Sequence, residues 1–306
     1  MGEFKLKIWG VRSSIPAPLN ADQYRHRLRE AVGHARSVWE QNPGESPENI
    51  FSSLPEEIQT LVGGETSCLE VRNGDSQLIL DMGTGARRLG YDMMGRGHKG
   101  DIHVLLTNTR WENIQGWPFF IPGFLPTNSV QFYTIHPDCR ERFIRQQHFD
   151  HFPVEFENML SRREFEVIAP GATRDLLGFN VTAYGLDDGY AAYRLEQEGR
   201  SLLIVPPLFR PGQDVDALIE KHADAFSGVD FMVLEYHSSD SEEAARAMEN
   251  AARAAAAWQA GRLLLVNHHP AHSDGGLREI LAHARSQLNG NAPDVILAAE
   301  GDEFDI

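Results

Sequence analysis

The chain has 306 residues, of which 42% are hydrophobic, and it carries a formal net charge of −16. This length supplies a large core for one domain or two small ones. The acidic charge is spread along the chain, which argues against a dedicated nucleic-acid or anionic-membrane surface, because phosphate binding depends on clustered Lys and Arg. A local pocket for a small anion remains compatible with this composition.

The amino-terminal sequence lacks the apolar core and the cleavage site of a signal peptide. No apolar run approaches the roughly 20 residues that a membrane-spanning helix requires. Cys68 and Cys139 are the two cysteines of the sequence. We therefore expect a cytoplasmic protein with reduced thiols, and a disulfide between the two cysteines is the less favoured alternative.

An opening strand is predicted from Phe4 to Trp9, where apolar and polar residues alternate. A mostly helical insertion, from about residue 20 to residue 61, follows it. The sequence of this insertion contains no recognisable catalytic or ligand-binding motif. Apolar residues recur at helical spacing in its first half and predict one apolar face, made of Tyr24, Leu28, Val32, Ala35 and Trp39.

A hairpin is predicted next, because Asn73-Gly74 separates the strands Leu69–Arg72 and Gln77–Asp81. The glycine-rich stretch from Asp81 to Gly90 suggests a dinucleotide-binding turn. The last glycine is misplaced for G-x-G-x-x-G, however, and no βαβ unit follows. The dinucleotide interpretation is therefore rejected.

The chain is organised around residues 102 to 124. The apolar run Ile102–Leu106 predicts a buried strand, which ends in a polar turn, Thr107 to Asn113. A strand that ends in polar side chains is a common place for chemistry. The aromatic, proline-bearing segment Trp117–Phe124 follows, and both core packing and an exposed interface fit its composition.

Strands and helices alternate through the rest of the chain, and no repeat or low-complexity linker divides it. One domain spanning residues 1–306 is therefore expected. Further strands are predicted at Val130–Ile135, Glu164–Ile168, Asn180–Tyr184, Tyr193–Glu196, Ser201–Val205, Phe231–Glu235, Arg262–Asn267 and Val295–Leu297, and helices at Asp138–Gln147, Ser241–Ala260 and Leu277–Leu288.

Three motifs resemble the metallo-β-lactamase superfamily, in particular its bacterial hydrolase branch. The first motif, Trp9 to Pro16, is similar to Trp-Gly-Val-Arg-Gly-Ser-Ile-Pro. The second, Leu80 to Gly85, is similar to Leu-Asp-x-Gly-Thr-Gly. The third, Thr107 to Gly116, is similar to Thr-His-x-His-Trp-Asp-His-Ile-Gln-Gly. The resemblance implies an α/β fold, a four-layer αββα sandwich, over essentially the whole length. It also implies that Asp81 holds the loop of the third motif by hydrogen bonds.

The metal-binding residues that this resemblance implies are replaced in the third motif. Asn108, Arg110 and Asn113 stand in the places of its three histidines, and Glu112 stands in the place of its aspartate. An asparagine amide is a poor ligand for first-row metals, and arginine is a permanent cation. One carboxylate survives, displaced by a methylene group.

The later ligand positions are replaced as well. Pro207 lies where the bridging aspartate is expected, and Asn267 lies where the last histidine is expected. Loss at every position indicates a vacated metal site, so we expect no resident metal cofactor.

The favoured hypothesis is a catalytically degenerate hydrolase with a regulatory role, whose former site binds an anionic small molecule such as a nucleotide, or a protein partner. The protein partner could be a second copy of the chain, which would give a homodimer. Arg110, with Arg210, would restore positive charge, although Arg110 could equally pair with Glu112 or Asp81 and merely fill the space. The predicted ligand-binding residues are Asn108, Arg110, Glu112, Asn113, Arg210, Asn267 and His268.

The alternative hypothesis is an active hydrolase or phosphodiesterase with one divalent metal, such as zinc or manganese, at a shifted position. Its ligands would come from His237, His268, His269, His272 and Asp274. The same stretch resembles the family's structural His-Asp-Pro-x-x-Ser-Asp turn, in which the last aspartate starts a helix, and that interpretation is favoured. Cys68 as a nucleophile finds little support, because it opens a predicted buried strand.

Overall fold

The computed structural model describes residues 4–287 and 293–306. Within these ranges the chain forms two seven-stranded sheets and nine α-helices. The strands are β1 (Phe4–Gly10), β2 (Cys68–Asn73), β3 (Ser76–Leu80), β4 (Asp101–Leu105), β5 (Ser129–Thr134), β6 (Arg162–Val167), β7 (Thr173–Leu176), β8 (Phe179–Gly185), β9 (Ala191–Gln197), β10 (Arg200–Val205), β11 (Phe231–Glu235), β12 (Arg262–Val266), β13 (Asp294–Leu297) and β14 (Glu303–Asp305). The helices are α1 (Ala21–Gln41), α2 (Pro47–Ser52), α3 (Glu56–Gln59), α4 (Gly85–Gly95), α5 (Trp111–Ile114), α6 (Cys139–Gln146), α7 (Val215–Phe226), α8 (Ser241–Ala257) and α9 (Asp274–Gln287).

The two sheets share one plan. The first has the order β14-β1-β2-β3-β4-β5-β6, and the second has the order β13-β12-β11-β10-β9-β8-β7. In the first sheet, β3 to β6 are parallel and the strands before them pair antiparallel. In the second sheet, β10 to β13 are parallel and β7 to β10 pair antiparallel. The ends of the parallel strands carry the polar loops.

Three apolar layers hold the sandwich together. Leu6 and Ile8 of β1 lie in one cluster with Val233 of β11, so this layer fills the space between the sheets. A second cluster joins α7, α8 and α9 to the outer face of the second sheet, and a third joins α4 and α6 to the outer face of the first. The order helix, sheet, sheet, helix confirms the predicted αββα sandwich.

The aromatic segment 117–124 forms two short 3₁₀ turns, and most of it is core. Trp117 is fully buried and packs edge-on against Phe132 and Phe143. Phe120 is also buried, whereas Phe119 is about half exposed and lies against Phe152. The segment therefore anchors the loop that precedes it.

The insertion consists of α1, α2 and α3. Asn20 caps α1 through a capping box with Gln23. Arg27 ties the helix to the sandwich by bonds to Asp274 and to the carbonyl oxygen of Thr60. None of the residues of α1 is buried, so the predicted apolar face lies largely on the surface.

Several elements differ from the sequence-based prediction. Strands β7 and β14 and helix α7 were not predicted, and the last helix begins at Asp274 rather than Leu277. Its predicted end, Leu288, lies outside the described residues. Cys68 and Cys139 are both free and buried. None of the helices in residues 4–287 and 293–306 combines the length and apolarity that a membrane crossing needs.

Candidate functional site

The candidate site lies where loops after the parallel strands of both sheets meet. Tyr193 of β9 donates its hydroxyl hydrogen to the carbonyl oxygen of Leu106, 2.9 Å away, and the backbone N–H of Ala191 donates to Thr107 O at 2.7 Å. The backbone of Arg12 forms isolated β-bridges with Thr66 and with His268. These contacts fix the polar turn after β4 against the second sheet.

Asp81 organises this turn. One carboxylate oxygen accepts the backbone N–H of Thr107 at 2.9 Å, and the other accepts the Thr107 hydroxyl and the Asn113 amide, each at 2.7 Å. Burial raises the pKa of Asp81 to about 7, while the hydrogen bonds from Thr107, Asn113 and Ser67 oppose that rise. The aspartate therefore performs the loop-holding role that the resemblance implies.

The retained motif residues also serve packing. The loop containing Gly83 and the one containing Gly116 lie in direct contact, since a Cβ on Gly116 would stand 1.9 Å from the Gly83 carbonyl oxygen. Thr66 receives a hydrogen bond from the Gln115 amide at 3.0 Å and donates one to the carbonyl oxygen of Glu112 at 2.8 Å. The motif thus has a structural purpose that is independent of a metal.

Two of the predicted amide donors are committed to this frame. Asn113 is buried and directs its amide nitrogen at Asp81. Asn108 is also buried; its side-chain oxygen accepts the backbone N–H of Arg110 at 2.7 Å, and its nitrogen donates to the Thr107 hydroxyl at 3.2 Å. Both side chains are therefore held in place by bonds within the frame.

Arg110 differs from its neighbours because its side chain is exposed. Its guanidinium lies over the ring of Tyr190, with 4.8 Å between the guanidinium carbon and the ring centroid. Arg210 approaches the same ring at 5.9 Å and pairs with Asp188. Within the described part of the chain, the Arg110 guanidinium has no hydrogen bond or ion pair, so the alternative pairing with Glu112 or Asp81 is not formed. We call Arg110, Arg210 and Tyr190 the rim.

Three acceptor side chains, Glu112, Glu235 and Asn267, lie near the rim: the charges of Glu112 and Glu235 act on Tyr190, and Asn267 is hydrogen-bonded to Glu235. We call these three residues the floor. Glu235 ends β11 and is 4% exposed, and it accepts the Asn267 amide at 3.2 Å. Asn267 follows β12 with a φ of 68°, a conformation that asparagine tolerates better than most residues. Its side-chain oxygen is buried and, within residues 4–287 and 293–306, has no hydrogen-bond partner.

The charges of the rim and the floor act on one another. Burial raises the pKa of Glu235 well above its ordinary value, and the charges of Asp81 and Glu112 raise it further. Burial also raises the pKa of Tyr190, with Glu235 and Glu112 adding to the rise and Arg110 and Arg210 opposing it. The Tyr190 hydroxyl therefore lies within electrostatic reach of both sets of groups.

The late histidines are mostly bonded within the protein. His268 is fully buried, and its two ring nitrogens lie 3.0 Å from the Tyr236 hydroxyl and 2.9 Å from Ala298 O. Burial lowers its pKa to about 3. The Nε2 atom of His272 lies 2.9 Å from Ser238 O. Both rings thus connect loops.

Three further residues of the proposed shifted site have separate partners. Asp274 is buried and accepts Arg12 at 2.8 Å and Arg27 at 2.9 Å. The ring of His237 lies against the ring of His269, with 5.1 Å between centroids, and its Nδ1 is 3.2 Å from the Ser13 hydroxyl. The described residues hold no group of three or more His, Cys, Asp or Glu placed to bind a metal ion.

The residues at the expected ligand positions also do not fit a two-metal centre. The Asn108 oxygen is already bonded, Asn113 presents a donor, and Arg110 brings a fixed positive charge. Pro207 has no side-chain donor atom. No catalytic step through metal ions is therefore derived for this site.

The list of predicted ligand-binding residues did not include Tyr190 or Glu235. Glu235 had a usable signal, since it ends the apolar run Phe231–Leu234 in the same way that Thr107 ends the central strand. Tyr190 had none, because its contact with Arg110 exists only after the two sheets pack.

Solved structures match this architecture along nearly the whole chain. The metallo-β-lactamase fold protein YhfI from Bacillus subtilis has a TM-score of 0.61 at 14% identity, covering 99% of each chain. Zn²⁺-bound PqqB from Methylobacterium extorquens has a TM-score of 0.61 at 15% identity, covering 99% of this chain and 100% of that one. The short form of human tRNase Z has a TM-score of 0.57 at 14% identity, covering 99% of each chain.

The sandwich and its strand-end cleft define the class of the protein as an αββα protein with a site between two sheets. The structural matches specify this class further: the chain has the metallo-β-lactamase fold. No family model and no curated protein matches the sequence.

Proposed function

We propose that this protein is a non-catalytic, regulatory form of the metallo-β-lactamase fold that binds an anionic small molecule, with a nucleotide as the favoured class, in the cleft between rim and floor. One observation carries the proposal. Arg110 stands in the place of a metal-binding histidine, is exposed, and forms no ion pair with a carboxylate of the described residues, although its charge acts on Asp188. An unpaired guanidinium is well suited to phosphate or carboxylate.

The surroundings of Arg110 support the same conclusion. Arg210 brings a second guanidinium to the Tyr190 ring, although Asp188 offsets part of its charge. Trp111, next to Arg110 in the chain, is 57% exposed and offers an aromatic face for a nucleobase. These features favour an anion that also carries a flat ring.

The proposal is tested by a thermal-shift screen of nucleotides and inorganic phosphate. Wild type, Arg110→Ala and Arg29→Ala are compared, because Arg29 is an exposed arginine on α1 and controls for the loss of one surface charge. We expect stabilisation of wild type and of Arg29→Ala, and little of Arg110→Ala. Stabilisation that is independent of Arg110, or none with any compound, would count against the proposal.

We also propose that α1 pairs with α1 of a second copy of the chain. Its stripe of Tyr24, Leu28, Val32 and Trp39 has side chains that are 46% to 68% exposed. Each end of the helix carries its own ion pair, Arg25 with Asp22 and Arg36 with Glu40. Antiparallel pairing about a two-fold axis would bury the two stripes against each other.

The molar mass of the protein, measured by light scattering as it elutes from a size-exclusion column, tests this pairing. Wild type and Ser37→Glu, whose substitution lies on the opposite side of α1, are expected to be dimers, and Val32→Glu is expected to be a monomer. A wild-type monomer at every concentration measured would refute the pairing and leave the ligand proposal intact.

A further inference from the structure

The floor of the cleft is poor in hydrogen-bond donors. Glu235 is almost fully buried, yet Asn267 is its one hydrogen-bond donor in the part of the chain that the structure describes. A carboxylate has room for about four hydrogen bonds. The hydrogen bond from Asn267 goes to Oε2, so Oε1 of Glu235 is open to a donor from a ligand.

Two more polar atoms beside Glu235 are unpartnered. The side-chain oxygen of Asn267, on a residue only 4% exposed, has no donor among the described residues. The hydroxyl of Tyr190, on a residue 6% exposed, likewise makes no hydrogen bond within residues 4–287 and 293–306. Burial raises the pKa of Tyr190, and the charges of Glu235 and Arg110 also act on it, so the ring lies within electrostatic reach of both.

Among the described residues, no Lys or Arg pairs with the floor, and the charge of Glu112 also acts on His237, whose pKa burial lowers and Glu112 raises. Neither Glu112 nor Glu235 forms an ion pair with a described residue, and the charge of Asp81 acts on Glu235 as well. The two arginines of the site lie at the rim, over the Tyr190 ring. The cleft therefore has an acidic, acceptor-rich end and a basic end.

We propose that the floor binds a positively charged nitrogen group, a primary ammonium or a guanidinium, which donates hydrogen bonds to Glu235 and to the side-chain oxygen of Asn267. This inference rests on the proposed function, in which the rim binds the anionic end of the same molecule. The ligand is then a zwitterion, with phosphate or carboxylate at Arg110 and a cationic nitrogen at Glu235. Glu112, half-buried, adds the second negative charge of the floor.

Binding of such a cation has a consequence for protonation. Burial beside Asp81 and Glu112 raises the pKa of Glu235, which favours its neutral form in the free protein. A cation in contact with the carboxyl group lowers that pKa. The zwitterion should therefore displace a proton, and its affinity should rise with pH, whereas a simple anion at the rim should not show this effect.

Calorimetry with matched ligands tests the inference. The probes are short ω-aminoalkyl phosphates of increasing chain length, each paired with the alkyl phosphate of the same length. In wild type we expect the best amino compound to bind roughly tenfold tighter than its partner, or more, with proton release seen by comparing two buffers. Glu235→Gln should remove this gain and the proton release.

A second variant guards against misfolding at the buried position. Glu112→Gln lies at a half-buried position and should reduce the gain in part. If the alkyl phosphates bind through Arg110 and the amino group adds nothing at any length, the inference is overturned while the proposed function stands. A gain that persists in Glu235→Gln also overturns it. If neither type of phosphate binds, both fail.

Discussion

Replacing Arg110 with alanine should separate ligand binding from stability. In the free protein, the visible loss is the contact with Tyr190, and an exposed cation–π contact is worth about 0.5–1 kcal/mol. For a chain of this size, that corresponds to a fall of only about 1–2 °C in Tm. The complex with the anion loses more free energy than the free protein, since a hydrogen bond to a charged group contributes about 1.5–3 kcal/mol.

At about 1.4 kcal/mol for each tenfold change in Kd, the affinity for the anion should fall roughly tenfold to a hundredfold. Because Arg110 is exposed and therefore screened by salt, we expect a value near the lower end. The affinity of Arg110→Lys for the anion should lie between those of wild type and Arg110→Ala, since lysine keeps the charge but lacks the planar guanidinium.

Isothermal titration at low and at high salt measures this effect. Wild type and Arg29→Ala should lose affinity as salt rises, and Arg110→Ala should respond less. Equal affinity in wild type and Arg110→Ala, for a ligand that binds the cleft, would refute the assignment of Arg110 as the anion contact.

Three further predictions concern stability, each measured by urea unfolding. Because burial raises the pKa of Asp81 from 3.8 to about 7, its contribution is fully present below pH 3.8 and is lost as pH rises through about 7, by about 4 kcal/mol at most. Asp81→Asn should therefore be less stable at low pH and show a flatter pH dependence. Trp117→Ala should cost about 3–5 kcal/mol because the ring is fully buried among aromatic side chains, while exposed Phe119→Ala should cost about 0.5 kcal/mol or less. Arg12→Ala should cost about 3 kcal/mol, since it removes a buried partner of Asp274, which keeps its bond to Arg27.

The fold was predictable because the residues that shape it survive. The turn of Asp81 and the close approach of Gly83 and Gly116 require the same side chains whether or not metal is bound. The apolar strand runs of the core also gave the strand positions. β7 and β14 were missed because their few, mostly polar residues take strand form only through pairing with β8 and β1.

The site was less predictable than the fold. The sequence identified Arg110 and Asn267 by their places in a familiar frame, but it could not tell that Asn108 and Asn113 are used within that frame. Tyr190 reaches Arg110 across the junction of the two sheets, which no local pattern indicates. The apolar face of α1 was predicted, but its exposure was not, because periodicity alone does not specify what covers a helix.

Arginine and acidic side chains stand at this site in place of a metal centre, so the metal content of the purified protein is decisive. The protein is produced with added zinc, manganese and iron, and its bound metal is measured beside that of His268→Ala and His272→Ala. We predict far less than one metal ion per chain in wild type and no change in the variants. Stoichiometric metal in wild type that is lost in either variant would contradict the account and support the shifted metal site.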